Sequence, residues 1–387
     1  MKILILAMKF LPASGGSASY AYNMAIGLHR LGYDITVMAP NYSHRKMDDS
    51  SFPFKVKRLA WSGPQFGMFR LLFAALHLFI VYRKNKPDII WTTSFAGCRV
   101  LGLLTNLKAR FIGTVHGGGI HRRYPSKKLS NRFGDRLGLR FMMRADAIVT
   151  ISEESKKIFA DKLPYDIILN KLRLIYNSID FDEGAFVSKV TALEKLPHLK
   201  TKQVILTVAR LVSAKGHDVV IRALHILKFN HPDAVYIIVG EGVERPSLER
   251  LVKELHLEDR VFFAGYVNDE QLEMYYGVCD VFVMAGRWTS NFVEGFGLVY
   301  IEAGVRGKPV IGTRVGGIPE AIVENKSGFV IEPENPEALA EKISLLLTNE
   351  SLRNDMSRFA FQHVKESFSN DVMAKHNASL LSELSKR

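Results

Sequence analysis

Apolar residues along the chain come in short runs separated by longer stretches with helical spacing, and this alternation repeats from end to end. In the first half the runs are 2–7, 35–39, 89–92, 110–114, 147–151 and 172–175. In the second half they are 203–208, 235–239, 261–264, 281–284, 309–312 and 328–331. Short runs rich in Val and Ile that alternate with helical patterns predict repeated βα units and mainly parallel sheets, here two doubly wound sheets of an α/β protein. The longest apolar stretch, Leu71 to Tyr82, is interrupted by His77. It falls well short of the roughly twenty residues that span a bilayer, so it reads as a helix buried against a sheet. The opening residues up to Met8 have too short an apolar run before Lys9 for a signal peptide and read as the first strand.

From Glu183 to Thr201 strand character is lost, Lys and Pro increase and periodicity lapses, which marks a linker. The expected division is an N-terminal domain over 1–190, a C-terminal domain over 191–365 and a last helix over 366–387 that packs back on the first domain. A helix start is expected at Asn335 to Glu337, and the chain after Ile331 reads as helical.

At 387 residues, 47% apolar and 24% charged, the chain has material for two ordinary domains. The formal charge of +13 is uneven. Residues 1–150 carry 23 Lys and Arg against 6 Asp and Glu, and residues 151–387 carry 29 against 33, so the halves stand at about +17 and −4. The first half is therefore expected to meet an anionic surface, whether a membrane leaflet, a nucleic acid or a phosphorylated acceptor. Cys98 and Cys279 are far apart and lack metal-ligand spacing, which predicts neither disulfide nor zinc site and fits a reducing, cytoplasmic setting.

Four segments carry candidate chemistry, each just past a predicted strand. Ser14-Gly15-Gly16-Ser17 precedes a helix and could bring backbone N–H groups against a phosphate, although a plain turn fits as well. His116 is followed by Gly117, Gly118 and Gly119 at a strand's C-terminal end, where open α/β sheets place ligands. Arg210 and Lys215, with Gly216 to turn the chain, are two cations able to neutralise a leaving diphosphate, or else two solvated surface charges. The fourth is the most specific: Glu294 sits in a loop with Gly295 and Gly297, and Glu302 lies one turn into a helix that opens near Leu298. The first N–H groups of such a helix could bind phosphate, Glu302 could hold ribose hydroxyls and Glu294 could face a sugar.

With Asn177-Ser178-Ile179-Asp180, Val239-Gly240-Glu241-Gly242, Gly265-Tyr266-Val267 and Gly316-Gly317-Ile318-Pro319-Glu320, these segments resemble glycosyltransferase family 4 of the GT-B superfamily, in order and over nearly the whole chain. The resemblance implies two facing Rossmann-like domains with an interdomain cleft, and a nucleotide-diphosphate sugar whose anomeric configuration is retained without a metal or other cofactor. It implies that Arg210 and Lys215 bind the diphosphate with backbone N–H groups of Gly16, Leu298 and Val299, and that Gly15, Phe296 and Gly297 also belong to the donor site. Glu302 would hold the ribose, Val267 would touch the base, and Glu294 and His116 would contact the transferred sugar. His116, Arg210, Lys215 and Glu294 are then the catalytic candidates, in a same-face displacement where the departing phosphate oxygen helps deprotonate the acceptor. Two departures stand out: Ser178 where the family has glycine, and a polar, aromatic insert from Gly286 to Phe292 that could shape donor or acceptor choice.

Asp180-Phe181-Asp182 spells a metal-binding triplet of another glycosyltransferase fold but reads here as loop, and Arg245 spoils a dinucleotide reading of Gly240-Glu241-Gly242. Arg122, Arg123, Lys127, Lys128, Arg132, Arg136, Arg140 and Arg144 make a basic stretch, the last four at helical spacing beside apolar residues. It reads as a solvated face or as a patch for anionic lipid and a lipid-borne acceptor, with no nucleic-acid module in the pattern. The expected function is transfer of a hexosyl unit, from GDP-mannose or a UDP-hexose, to a glycolipid or lipid-linked saccharide in bacterial-type surface polysaccharide synthesis. The expected location is peripheral, at the inner face of the cytoplasmic membrane. A nucleotide-sugar 2-epimerase of the same shell is the alternative, and a catalytically silent sugar-nucleotide binder is a third.

Overall fold

The computed structural model describes residues 1–13, 15–41, 47–59, 68–116, 129–289 and 293–386. Two compact units divide the chain: Met1–Asp180 with Asn370–Arg387, and Phe181–Ser369. Each is built on one all-parallel sheet.

In the first unit the strands are β1 (Lys2–Leu6), β2 (Asp34–Pro40), β3 (Lys55–Leu59), β4 (Ile89–Thr92), β5 (Arg110–Val115), β6 (Ala147–Thr150) and β7 (Leu172–Leu174), in the order β3-β2-β1-β4-β5-β6-β7. In the second they are β8 (Gln203–Val208), β9 (Ala234–Val239), β10 (Val261–Gly265), β11 (Val281–Val283), β12 (Val310–Thr313) and β13 (Gly328–Ile331), in the order β10-β9-β8-β11-β12-β13. Strand order reverses beside β1 and beside β8, and in doubly wound sheets the crevice for ligands opens at the carboxyl ends of strands at such a point. The central strands are covered on both faces, so they read as unbroken apolar runs, as at Ala234–Val239 where every residue is buried. The strand that the pattern missed is β3. It pairs only with β2, and its Lys55 and Lys57 are exposed, which is how an edge strand is protected and why it does not look like one.

The segment read as a linker belongs to the second unit and is folded. A 3-10 turn at Glu183–Ala185 leads to a helix at Lys189–Lys195, capped by Ser188, whose Oγ accepts from the Thr191 N–H at 3.1 Å. Ala192 of this helix packs so closely on Gly277 that a Cβ there would meet it at 2.8 Å. Two turns of helix are too short to leave a periodicity.

Helix α1 (Gly16–Arg30) covers one face of the first sheet and is itself covered by the C-terminal helix Asn370–Ser385. The Asn370 N–H donates to the Ile179 carbonyl at 3.0 Å, and Asn23 Nδ2 donates to the Ser178 carbonyl at 2.7 Å. Ser178 Oγ lies 3.4 Å from Asn370 Oδ1 and 3.3 Å from Met373 Sδ. The serine in the family's glycine position is thus a buried tie to the last helix, and its backbone does not adopt a positive φ.

On the other face lie α2 (Met68–Asn85), α3 (Phe95–Leu101) and α4 (Leu129–Arg144), which share one apolar core with Leu4, Ile90 and Ile148 of the sheet. Helix α2 was expected to be buried, and only one of its faces is. Leu71, Ala74, Ala75, Leu78 and Val81 enter the core, while Phe69, Leu72, Phe73, Leu76, Phe79 and Ile80 are exposed.

The contact of α1 with the last helix leaves no room for a larger side chain at Gly27, where a Cβ would lie 2.9 Å from Ala374 Cβ. Gly27→Val is expected to lower the unfolding free energy by about 1–3 kcal/mol, the usual cost of overpacking. Urea unfolding measures this, and an unchanged midpoint would contradict the close packing.

Candidate active site

In the second unit β8 runs out into Ala209 and Arg210, then a 3-10 turn at Ser213–Lys215, then Gly216 and helix α5 (His217–Leu227). Gly216 has φ 67°, and a Cβ there would lie 1.8 Å from the Ala285 carbonyl oxygen, so only glycine lets this turn press against the end of β11. Opposite it, the loop after β11 carries Glu294. The Gly317 N–H donates to the Glu294 carbonyl at 3.0 Å, and a Cβ on Gly316 would come within 2.1 Å of the same oxygen. These two backbone contacts put Lys215 Nζ in direct ion-paired contact with Glu294 Oε2, the side chains 13% and 18% exposed. The sequence motifs are thereby joined: two of the four predicted catalytic residues touch.

Most of the remaining donor candidates belong to the same unit. Arg210 is exposed. Gly297, with φ 86°, precedes α6 (Leu298–Gly304), whose first N–H groups, at Leu298 and Val299, have no partner within the helix. Glu302, half-buried on α6, lies 3.4 Å from Tyr276 Oη. Burial pushes its carboxyl above the usual range, and the charge of Arg306 opposes this. Arg306 is itself clamped by Glu273, donates to the Glu302 carbonyl at 2.7 Å and lies 4.6 Å over the Tyr276 ring. Val267 is half-buried beside the exposed Tyr266. Phe296 has a fully buried side chain, 5.2 Å from the Phe368 ring, so it packs the loop and offers a ligand only its backbone.

In the first unit Gly15, with φ 111°, precedes α1, which opens at Gly16; Ser14 lies outside the described residues. His116 ends β5. Its Nε2–H donates to the Thr93 carbonyl at 3.0 Å, since a carbonyl can only accept, and its ring meets Tyr20 edge-on at 5.1 Å. Beneath it Thr114 Oγ1 accepts from Trp91 Nε1 at 2.9 Å and lies 3.0 Å from Tyr20 Oη. Burial pulls the His116 pKa from 6.5 down to about 4, with the charge of Lys9 contributing. At neutral pH the ring is uncharged and Nδ1 is an acceptor.

Of the basic stretch, Arg122, Arg123, Lys127 and Lys128 lie outside the described residues, as do Gly117 to Gly119. Arg132, Arg136 and Arg140 form an exposed stripe on α4. Arg144 leaves it: its guanidinium turns inward to the carbonyls of Leu101 and Leu104 at the end of α3, 4.8 Å over the Phe111 ring. Asp180 is held by Arg30 through two bonds of 2.6 and 2.9 Å, and Asp182 Oδ1 accepts from the Gly184 N–H. Among the described residues no group of three or more His, Cys, Asp or Glu is placed to hold a metal ion.

Two residues that shape the site, His217 and Arg306, had no signal in the sequence, and the role of a third, Arg287, was not legible from the insert that holds it. His217 is buried, its ring nitrogens 3.0 Å from Tyr236 Oη and 3.2 Å from the Arg210 carbonyl oxygen, and so fixes the backbone between the two cations. Arg287, in the insert before Glu294, turns away from solvent: its N–H donates to the Ala214 carbonyl at 3.1 Å and its guanidinium pairs with Asp218. Residues 290–292 of that insert lie outside the described residues. The partners of His217, Arg287 and Arg306 are distant in sequence or unremarkable in type, so no local motif announces them.

Two parallel-sheet units with these loops at their carboxyl edges define a GT-B glycosyltransferase fold. The structure matches a sucrose-phosphate synthase from Thermosynechococcus elongatus with a TM-score of 0.80 at 21% identity, over 99% of this chain and 98% of that one. It matches Anabaena Alr3699/HepE, solved with UDP and glucose, with a TM-score of 0.78 at 20% identity, over 99% and 100%. The family described as Glycosyltransferase Family 4 matches residues 14–183, and that described as Glycosyl transferases group 1 matches residues 189–363. A GDP-mannose-dependent alpha-(1-6)-phosphatidylinositol monomannoside mannosyltransferase of Mycolicibacterium smegmatis is 27% identical over 90% of this chain and 89% of its own. The chain belongs to glycosyltransferase family 4 and is a glycosyltransferase.

His217, like His116, is pulled by burial from 6.5 down to about 4. Both contribute stability that is complete above 6.5 and is lost as pH falls toward about 4, because the unfolded chain takes up protons first. The unfolding free energy is expected to fall over this window by up to ~1.4 kcal/mol per pH unit for each imidazole. His217→Gln should remove one share of that slope, and an unaltered slope in the variant would count against the burial argument.

Proposed function

We propose that the chain transfers a hexosyl unit from a nucleotide-diphosphate sugar to a glycolipid or lipid-linked saccharide, with retention of configuration and without a metal. The observation that carries this reading is the Lys215–Glu294 pair, set beside the exposed Arg210 at the carboxyl edge of β8. In the free protein Glu294 neutralises Lys215. A diphosphate brings more negative charge than one carboxylate, so it competes for the ammonium, with Arg210 as a second partner, and releases Glu294 toward the sugar. Charge already in place where the leaving phosphate develops charge lowers the barrier without reorganisation. Glu302, with Tyr276 beside it, is suited to two ribose hydroxyls, and the backbone at Val267 to the base. His116, Gly15 and Gly16 are the first unit's candidates for substrate contact. No carboxylate need act as general base if the departing phosphate oxygen takes the acceptor proton on the same face, which leaves the protein to position and to stabilise charge.

GDP-mannose and UDP-hexoses are the donors to test, the first named for the mycolicibacterial relative and UDP with glucose seen in the Anabaena structure. The 2-epimerase alternative gains nothing from these relatives. Peripheral attachment to the inner face of the cytoplasmic membrane is supported by the arginine stripe of α4, while no described helix is long and apolar enough to cross a membrane.

A thermal-shift screen of UDP, GDP and ADP sugars identifies the donor, since a ligand of the folded state raises the midpoint. With that donor and an acceptor, the products expected are free nucleotide and a new glycoside of unchanged anomeric configuration, at a rate insensitive to chelator. Glu294→Gln is expected to lower kcat about 100-fold with little change in KM, and Glu302→Gln to raise KM about tenfold with kcat nearly kept. An isomerised nucleotide sugar would overturn the reading, and equal effects of both variants on both constants would overturn the division of labour.

A further inference from the structure

Helix α2 has two apolar faces and needs only one of them for the fold. Its inward face is buried in the core of the first unit, yet Phe69 is 88% exposed, Leu76 58% and Leu72 50%, with Phe73, Phe79 and Ile80 also above 40%. Spacings of three and four residues set all six along one stripe of an 18-residue helix, roughly 27 Å long. A contiguous apolar surface of this extent on a folded unit marks an interaction site.

Charge selects the occupant. Helix α2 contains no Asp or Glu; Arg70 stands exposed in its first turn, Arg83 and Lys84 in its last, and Lys86 just beyond. A second copy of the chain pairing through this stripe, parallel or antiparallel, would set these cations against one another; the acids that share a hollow with Arg83 and Lys86, Asp88 and Asp146, are already bound to the Lys2 N–H and to Arg110. An anionic bilayer presents the opposite charge to this basic face. Helix α4, with its exposed Arg132, Arg136 and Arg140, packs with α2 against α3 on the same face of the sheet, two helix spacings away at about 16–20 Å, so both can reach one plane. No described helix is able to span a membrane, and an amphipathic helix lying in the interface needs no such length.

We propose that the outer stripe of α2 inserts into the boundary between headgroups and acyl chains of an anionic bilayer, with the basic ends of α2 and the arginines of α4 at the headgroups. This deepens the peripheral attachment proposed above and rests on it, because it names the surface that enters the membrane and adds burial to charge.

The test uses the full chain and vesicles of equal parts phosphatidylglycerol and phosphatidylcholine, or of phosphatidylcholine alone. Phe69→Gln with Leu76→Gln is expected to weaken co-flotation with the anionic vesicles at least about tenfold. Both substitutions lie outside the donor site, so the thermal shift given by the donor nucleotide sugar should persist and reports that the variant is folded. Cys98 and Cys279 are buried, so Leu76→Cys offers a selectively reactive thiol for an environment-sensitive dye. Its emission should shift to the blue on the anionic vesicles and be quenched by lipids brominated on the acyl chains. Full flotation of the α2 variant, or a dye unquenched by brominated chains, would overturn insertion. Loss of flotation in Arg132→Gln, Arg136→Gln, Arg140→Gln together, with the α2 variant floating normally, would leave attachment by charge and remove α2 from it. If the unaltered chain fails to float while the donor still stabilises it, both membrane claims fall and the transferase reading stands. A sedimenting mass twice that of one chain, abolished by Leu76→Gln, would make a second copy the occupant and overturn the lipid assignment.

Discussion

The contact between the Lys215 ammonium and the Glu294 carboxylate depends on two loops of the second unit approaching backbone to backbone. Gly216 lies against the Ala285 carbonyl and Gly316 against the Glu294 carbonyl, at separations a Cβ cannot share. A side chain at either position would push the loops apart and part the ions. A partly buried ion pair contributes little net stability once its desolvation is counted. In the proposed mechanism it presents a cation already in place, held by a partner that a diphosphate can displace. Arg287 and His217 serve the same end from behind, one tying the Lys215 turn to the loop after β11, the other fixing the Arg210 carbonyl.

The two units differ in how they handle charge. In the second, cations in and behind the site loops are paired: Lys215 with Glu294, Arg306 with Glu273, Arg287 with Asp218. Each cation is thereby aimed. The first unit puts a neutral imidazole, His116, at its strand ends, over a buried network of Tyr20, Thr114 and Trp91, and exposes Arg132, Arg136 and Arg140 on α4 while Arg99 is buried against Asp135. A neutral acceptor suits a sugar hydroxyl, and a basic exterior beside an exposed apolar helix suits a lipid surface.

What could be read from the chain follows from range. Parallel strands covered on both faces announce themselves as apolar runs, so twelve strands were legible; β3, with Lys55 and Lys57 exposed at the edge, was not. Glycine-rich turns past strands are local, so Gly15, Gly216 and the Glu294 loop could be found. Composition says that α2 and α4 are apolar and basic, but not which side of a helix faces inward. Hence α2 was read as buried and Arg144 as part of the stripe. Ser178 looked like a perturbed turn and is a tie to the last helix. Partners far apart in sequence, such as His217 with Tyr236 or Arg306 with Glu273, are invisible to spacing.

The central claim is that the donor's diphosphate takes Lys215 from Glu294, and a crystal structure of the chain with its bound nucleotide-diphosphate sugar tests it most directly. The account predicts phosphate oxygens within hydrogen-bond distance of Lys215 Nζ and of the Arg210 guanidinium, and the Glu294 carboxylate released from Lys215 and turned to the sugar. A diphosphate bound elsewhere, with the Lys215–Glu294 pair intact, would contradict it.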